Sequence, residues 1–175
     1  MLGVLVNRYI IVCVMPRVFF FVLLMAGCGQ PPGSTNSETL IALPLTAEVF
    51  RGGEVQTVAA YLRTPEFAAA DPSRGELLSL ACQACHTLAE GEPSILGPNL
   101  HGIFGTVSAA SDDFDYSLAL REAAIVWTPR ALDAWLANPS DFLPGNNMAF
   151  SGYSSASDRR DLIVFLLRKT ATDDE

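Results

Sequence analysis

Apolar residues crowd the first 27 positions of the chain and thin out sharply afterwards. The densest run, VFFFVLLM at Val18–Met25, follows Pro16 and Arg17, which break the apolar stretch before it is long enough to span a bilayer. Two basic residues, a short apolar core and small residues at its end predict a secretory signal over residues 1–27. The QPPGSTN stretch that follows cannot bury apolar area and predicts a flexible tether reaching about Asn36. From 37 to 70 the periodicity is undecided: VQTVAAYL at Val55–Leu62 fits a short helix or an added strand, so 28–70 is read as a linker of uncertain structure. Beyond it the pattern turns helical, and residues 71–172 form the expected domain. Ser73–Leu80 reads as a short helix. Thr128-Pro129 supplies an N-cap and first-turn proline ahead of Leu132, Trp135 and Leu136, and Asn138-Pro139 stops that helix. A final helix after Ser157 carries Leu162, Phe165, Leu166 and Lys169 at helical spacing.

Composition narrows the function. A length of 175 residues gives room for one ordinary domain besides the leader and linker. Without residues 1–27, which contain Arg8 and Arg17, 9 basic residues stand against 19 acidic ones, a formal charge of −10. Nucleic acid is therefore not an expected partner. Lys169 is the chain's one lysine.

The four cysteines separate into Cys13 within the leader, Cys28 at its end, and the pair Cys82 and Cys85, a distribution that suggests no disulfide framework. Leu24-Met25-Ala26-Gly27-Cys28 resembles a bacterial lipoprotein processing box, which implies acylation of Cys28 and anchorage of an exported, periplasm-facing chain. A chain starting at Met15 would have a compact leader of the same kind. Gly29 is not the aspartate that typically retains lipoproteins at the inner membrane, so the resemblance favours the outer membrane. The alternative is an uncleaved signal anchor in the inner membrane.

Cys82-Gln83-Ala84-Cys85-His86 has the Cys-x-x-Cys-His pattern of c-type haem attachment. Two thiols three positions apart can each add to a vinyl group on one porphyrin edge, and the histidine that follows faces the iron as proximal ligand. A zinc half-site and a thioredoxin-like redox pair share the spacing. Zinc lacks two further ligands, and the redox pair lacks a preceding strand. Among the methionines only Met148 follows His86, in a Pro144-Gly145 loop suited to presenting a thioether as second axial ligand.

From Ser73 to Thr170 the chain resembles the class I cytochromes c, particularly the mitochondrial-type group. The resemblance rests on Cys-x-x-Cys-His, on GPNLHGIFG at Gly97–Gly105, on Tyr116 and Trp127, and on the spacing from His86 to Met148. It implies an all-α fold wrapped around one covalent haem c. It also implies that the Pro98 carbonyl accepts a hydrogen bond from His86, that Tyr116 and Trp127 donate to a haem propionate, and that the last helix crosses the first near Gly75.

Three departures qualify the transfer. Trp135 stands where mitochondrial forms often have a tyrosine, and Thr106 where a basic residue is common. The helix before the motif offers leucines 77, 78 and 80 rather than an aromatic to meet Phe165. The lysine ring around the haem edge is missing too, which points to docking through apolar residues such as Ala149 and Phe150, or to a basic partner face. With both axial positions filled, the expected role is a single-electron carrier between redox proteins, not an enzyme, with no small-molecule substrate. The alternatives are a haem enzyme or sensor with an open sixth position, and a fixed relay subunit of a larger complex docked through 37–70.

Overall fold

The computed structural model describes residues 45–172; the leader, Cys28 and the tether lie outside them. Helix α3 (Pro72–Gln83) starts where Asp71 accepts hydrogen bonds from the Ser73 and Arg74 amides, with Pro72 in the first turn. It runs three residues past the predicted end, so Cys82 sits in its last turn. Helix α7 (Ala156–Lys169) starts where Ser155 accepts from the Asp158 amide. The most extensive helix–helix contact is between these two.

They meet at Gly75. A Cβ there would lie 2.0 Å from the Asp161 carbonyl oxygen and 2.8 Å from Phe165 Cβ, so only glycine lets the backbones come this close. The buried Asp161 carboxylate accepts from the Asp71 amide at 3.0 Å, and Arg74 pairs with Asp158 at 2.7 Å. The leucines behave otherwise than expected. Leu78 packs against the core, but Leu77 and Leu80 are exposed, and the buried positions of α3 are Gly75 and Ser79. Phe165 Cβ lies against the Gly75 backbone, and of the three leucines Leu78 is the one that packs on the core.

Short helices complete the frame: α4 (Leu118–Ala123), α5 (Pro129–Ala137) and α6 (Pro139–Phe142). Thr128 caps α5 by accepting from the Ala131 amide. Asn138, extended at φ −164°, ends α5 and caps α6. Among the described residues the only β pairing is two isolated antiparallel bridges, Arg51 with Ile125 and Val107 with Val126, so the fold is all-α.

Residues 46–70, undecided in the sequence, are folded onto this frame. A 3₁₀ turn (Ala47–Phe50), α1 (Val58–Leu62) and α2 (Pro65–Ala68) bury Ala47, Phe50, Val58 and Phe67. Both α1 and α2 lie against α7. With α3 and α5 also against it, α7 is covered on more than one side, and it buries Ile163, Val164 and Leu167 besides the predicted Leu162 and Leu166.

Replacing Gly75 with Ala should cost at least about 3 kcal/mol of folding stability, because the obstacle is backbone that cannot rotate away. Gly91→Ala, at φ +71° but in open space, should cost about 1 kcal/mol. Denaturant midpoints of the two variants check the difference.

Candidate haem-binding site

Cys82 lies in the last turn of α3, and the chain then turns tightly: the amides of Cys85 and His86 both donate to the Cys82 carbonyl at 2.9 Å. Both thiols are free. Burial pushes the Cys82 thiol up to about 11, so at neutral pH it is a protonated, neutral group.

The His86 ring is held from two directions. Its Nδ1 lies 2.7 Å from the Pro98 carbonyl oxygen, and an acceptor there fixes the tautomer with hydrogen on Nδ1 and a free lone pair on Nε2. Burial lowers the imidazole's proton affinity and outweighs the opposing pull of the Pro98 carbonyl, which keeps the ring neutral and fit to ligate. Gly97 fits against the ring itself: a Cβ there would lie 2.4 Å from Cε1. The Gly97 amide donates to the Cys85 carbonyl at 2.7 Å, tying the 97–99 loop directly to the cysteine turn. Asn99 stiffens that loop, donating to Thr87 Oγ1 and the Ala89 carbonyl and accepting from the His101 amide.

Met148 is half-buried and packs against the core. Asn146 shapes its loop: Nδ2 donates to the Pro139 and Leu143 carbonyls, and Oδ1 accepts from the Met148 amide at 2.9 Å. Trp127 is buried edge-on to Trp135 at 5.6 Å, while Tyr116 is half-buried against Phe114 at 5.0 Å. Burial raises the Tyr116 phenol, so it remains a hydrogen-bond donor. Thr106 donates to the Ile103 carbonyl and supplies no charge.

Sequence reasoning passed over three residues here. Gly97 was legible only as part of the GPNLHGIFG stretch. Asn146 gave no signal beyond its loop. Tyr153 gave none at all, yet its hydroxyl donates to the Leu78 carbonyl at 2.9 Å and its ring packs on Phe150, linking the Met148 side of the molecule to the cysteine-bearing helix.

These residues fit a c-type haem: two free thiols one turn apart, a neutral imidazole with a lone pair to give, and a glycine where any side chain would push that imidazole aside. Rival readings of the cysteine pair fit less well. Among the described residues no three or more His, Cys, Asp or Glu side chains converge as a bare metal site would require, and a helix, not a strand, precedes the pair.

No protein-family model matches the chain. Individual proteins do. It is 41% identical over 105 residues to a cytochrome c of Stellaria longipes, covering 59% of this chain and 97% of that protein. The chain belongs to the cytochrome c family. A cytochrome c of Chlamydomonas reinhardtii is 41% identical over 107 residues, covering 61% of this chain and 96% of its own length. A cytochrome c2 of Agrobacterium tumefaciens is 37% identical over 100 residues, covering 55% and 90%. As a class I cytochrome c the protein binds one covalent haem c and carries electrons; it is not an enzyme.

Gly97→Ala should disturb the His86 ring while leaving Cys82 and Cys85 in place. The expected result is a protein with covalent haem but a weakened low-spin spectrum, read by visible absorption; an unchanged spectrum would show that the ring has room to spare.

Proposed function

We propose that this cytochrome c is a lipid-anchored, His/Met-ligated single-electron carrier working outside the cytoplasm. Cys82 and Cys85 are the attachment points, His86 Nε2 the proximal ligand and Met148 Sδ the second. The observation that carries the reading is the fixed imidazole, pinned between the Pro98 carbonyl and Gly97 with one nitrogen left to give. Haem c supplies an iron that cycles between ferrous and ferric states. The protein's part is to hold both ligands still and keep water out. A thioether and an apolar surround favour the reduced, less charged centre. Trp127 and Tyr116 are the proposed donors to a propionate, which lowers the penalty of a part-buried negative charge.

Cys28 is the proposed acylation site, with residues 1–27 removed as a signal and the chain held at a periplasm-facing membrane, the outer one by resemblance. Residues 71–172 are the cytochrome domain, and the folded 46–70 segment is packed on it rather than strung out as a tether. Partners are redox proteins, reached through apolar residues of this chain such as Ala149 and Phe150 or through a basic face of the partner. Leu77, Leu80 and Leu96 are 70%, 61% and 79% exposed, and all three lie close in sequence to the cysteine motif. Arg74, the one basic residue on α3, is engaged by Asp158.

Oxidised protein from a host that matures c-type haem should show the near-infrared band of methionine-to-ferric charge transfer, and the reduced form should bind carbon monoxide poorly. Met148→Ala should lose the band and bind the gas readily; a variant unchanged in both respects would remove Met148 from the iron. Mass spectrometry of the same mature protein should give one haem on a chain beginning at an acylated Cys28, and an unmodified leader would refute the anchor.

Docking is tested by transfer rates to an acidic-faced and to a basic-faced redox protein from about 0.01 to about 0.5 M salt. Low salt should hinder the acidic pairing, and faster transfer to it at low salt would overturn the partner assignment.

A further inference from the structure

Residues 46–56 lie outside the stretch that resembles other cytochromes c, yet they are bonded to the part of the domain that carries the proposed haem contacts. The Val126 amide donates to the Phe50 carbonyl at 3.0 Å, and Arg51 bridges Ile125. Arg51 Nε also donates to the Ala123 carbonyl at 2.9 Å. That bond falls at the end of α4, beside Ala124, which takes a left-handed φ of +51° that a residue with a Cβ adopts only under restraint. The 125–127 segment is thus held on two sides, because the Trp127 amide and carbonyl are already bonded to Thr106 and Gly105.

The Phe50 side chain extends the hold. Its ring lies 5.6 Å from Phe142, Phe142 lies 5.8 Å from Trp135, and Trp135 lies 5.6 Å from Trp127. All four rings are buried, and the Arg130 guanidinium sits 5.8 Å from the Phe50 ring centroid. Phe142 is the last residue of α6, and the next residue, Leu143, accepts the Asn146 bond that shapes the Met148 loop. The loop is therefore attached at its root to a helix end that Phe50 packs against.

We propose that the 46–56 segment is a built-in brace for the second axial ligand, and that Phe50 is a positioning residue acting through Phe142 on the Met148 loop. The inference rests on the His/Met reading above. Its physical content is a population: an outside ligand can reach the iron only in molecules whose loop has opened, so apparent affinity rises in proportion to the open fraction. Without the Phe50 ring, α6 loses packing on one side and the open fraction grows.

The test titrates the oxidised, haem-loaded full chain with imidazole and follows loss of the near-infrared methionine band. Phe50→Ala should bind imidazole at least tenfold more tightly than the parent. Phe67→Ala removes a buried ring of the same size from the folded 46–70 stretch but outside 46–56, where α2 meets α7, and should stay within twofold of the parent despite its lower melting temperature. If Phe50→Ala does not mature, Phe50→Leu should show at least a threefold gain. A Phe50 variant within twofold of the parent overturns the brace, as does a Phe67→Ala variant that matches it, since the effect would then be general loosening. A parent without the near-infrared band refutes Met148 ligation instead, and the brace falls with it.

Discussion

The molecule depends on the crossing of α3 and α7 at Gly75, where one backbone lies directly on another. Helix α3 carries Cys82 in its final turn, so the position of the proposed attachment site relative to the core is set by how closely α7 can approach seven positions earlier. Around the crossing Asp161 does two jobs: its carbonyl oxygen fills the space a Cβ would need, and its carboxylate holds the Asp71 amide at the start of α3. Arg74 and Asp158 add an exposed pair beside it, worth little alone because solvent screens it. The specificity of the crossing is steric before it is electrostatic.

The haem site repeats that logic on a smaller scale. Gly97 gives the His86 ring its place by lacking a side chain, and the Pro98 carbonyl then selects which nitrogen keeps its hydrogen. The geometry of the imidazole comes from backbone groups on a loop that is itself bonded back to the Cys85 carbonyl. Met148 is held differently, through an Asn146 side chain that ties its loop to the start of α6 at Pro139, so the two proposed ligands sit on supports of different kinds. The sulfur side depends on more of the surrounding packing.

Much of this was legible in the sequence, because the chemistry sits in short motifs with fixed spacing. Cys82, Cys85 and His86 announce themselves, and the caps at Thr128 and Asn138 mark their helix boundaries by local hydrogen bonding alone. What escaped notice depends on tertiary contacts. Leu77 and Leu80 looked like core because α3 was expected to turn its large side chains inward; instead Ser79 is buried, its hydroxyl satisfied by the Glu76 carbonyl and Gln83. The 46–70 segment was opaque because its elements are four or five residues long, too short for periodicity to show. A clue lay in α7, where Ile163, Val164 and Leu167 fall outside the expected stripe, and a helix apolar on more than one side needs a second partner.

The contact between Gly75 and Asp161 joins positions far apart in the chain, and that separation orders events during synthesis. The crossing cannot form until α7 has been made, since its second half lies within that helix. Until then the segment bearing Cys82 and Cys85 has no α7 to rest on. The two thiols therefore stay on an unpacked segment, open to covalent chemistry, until α7 has been made and the crossing fixes α3 in place.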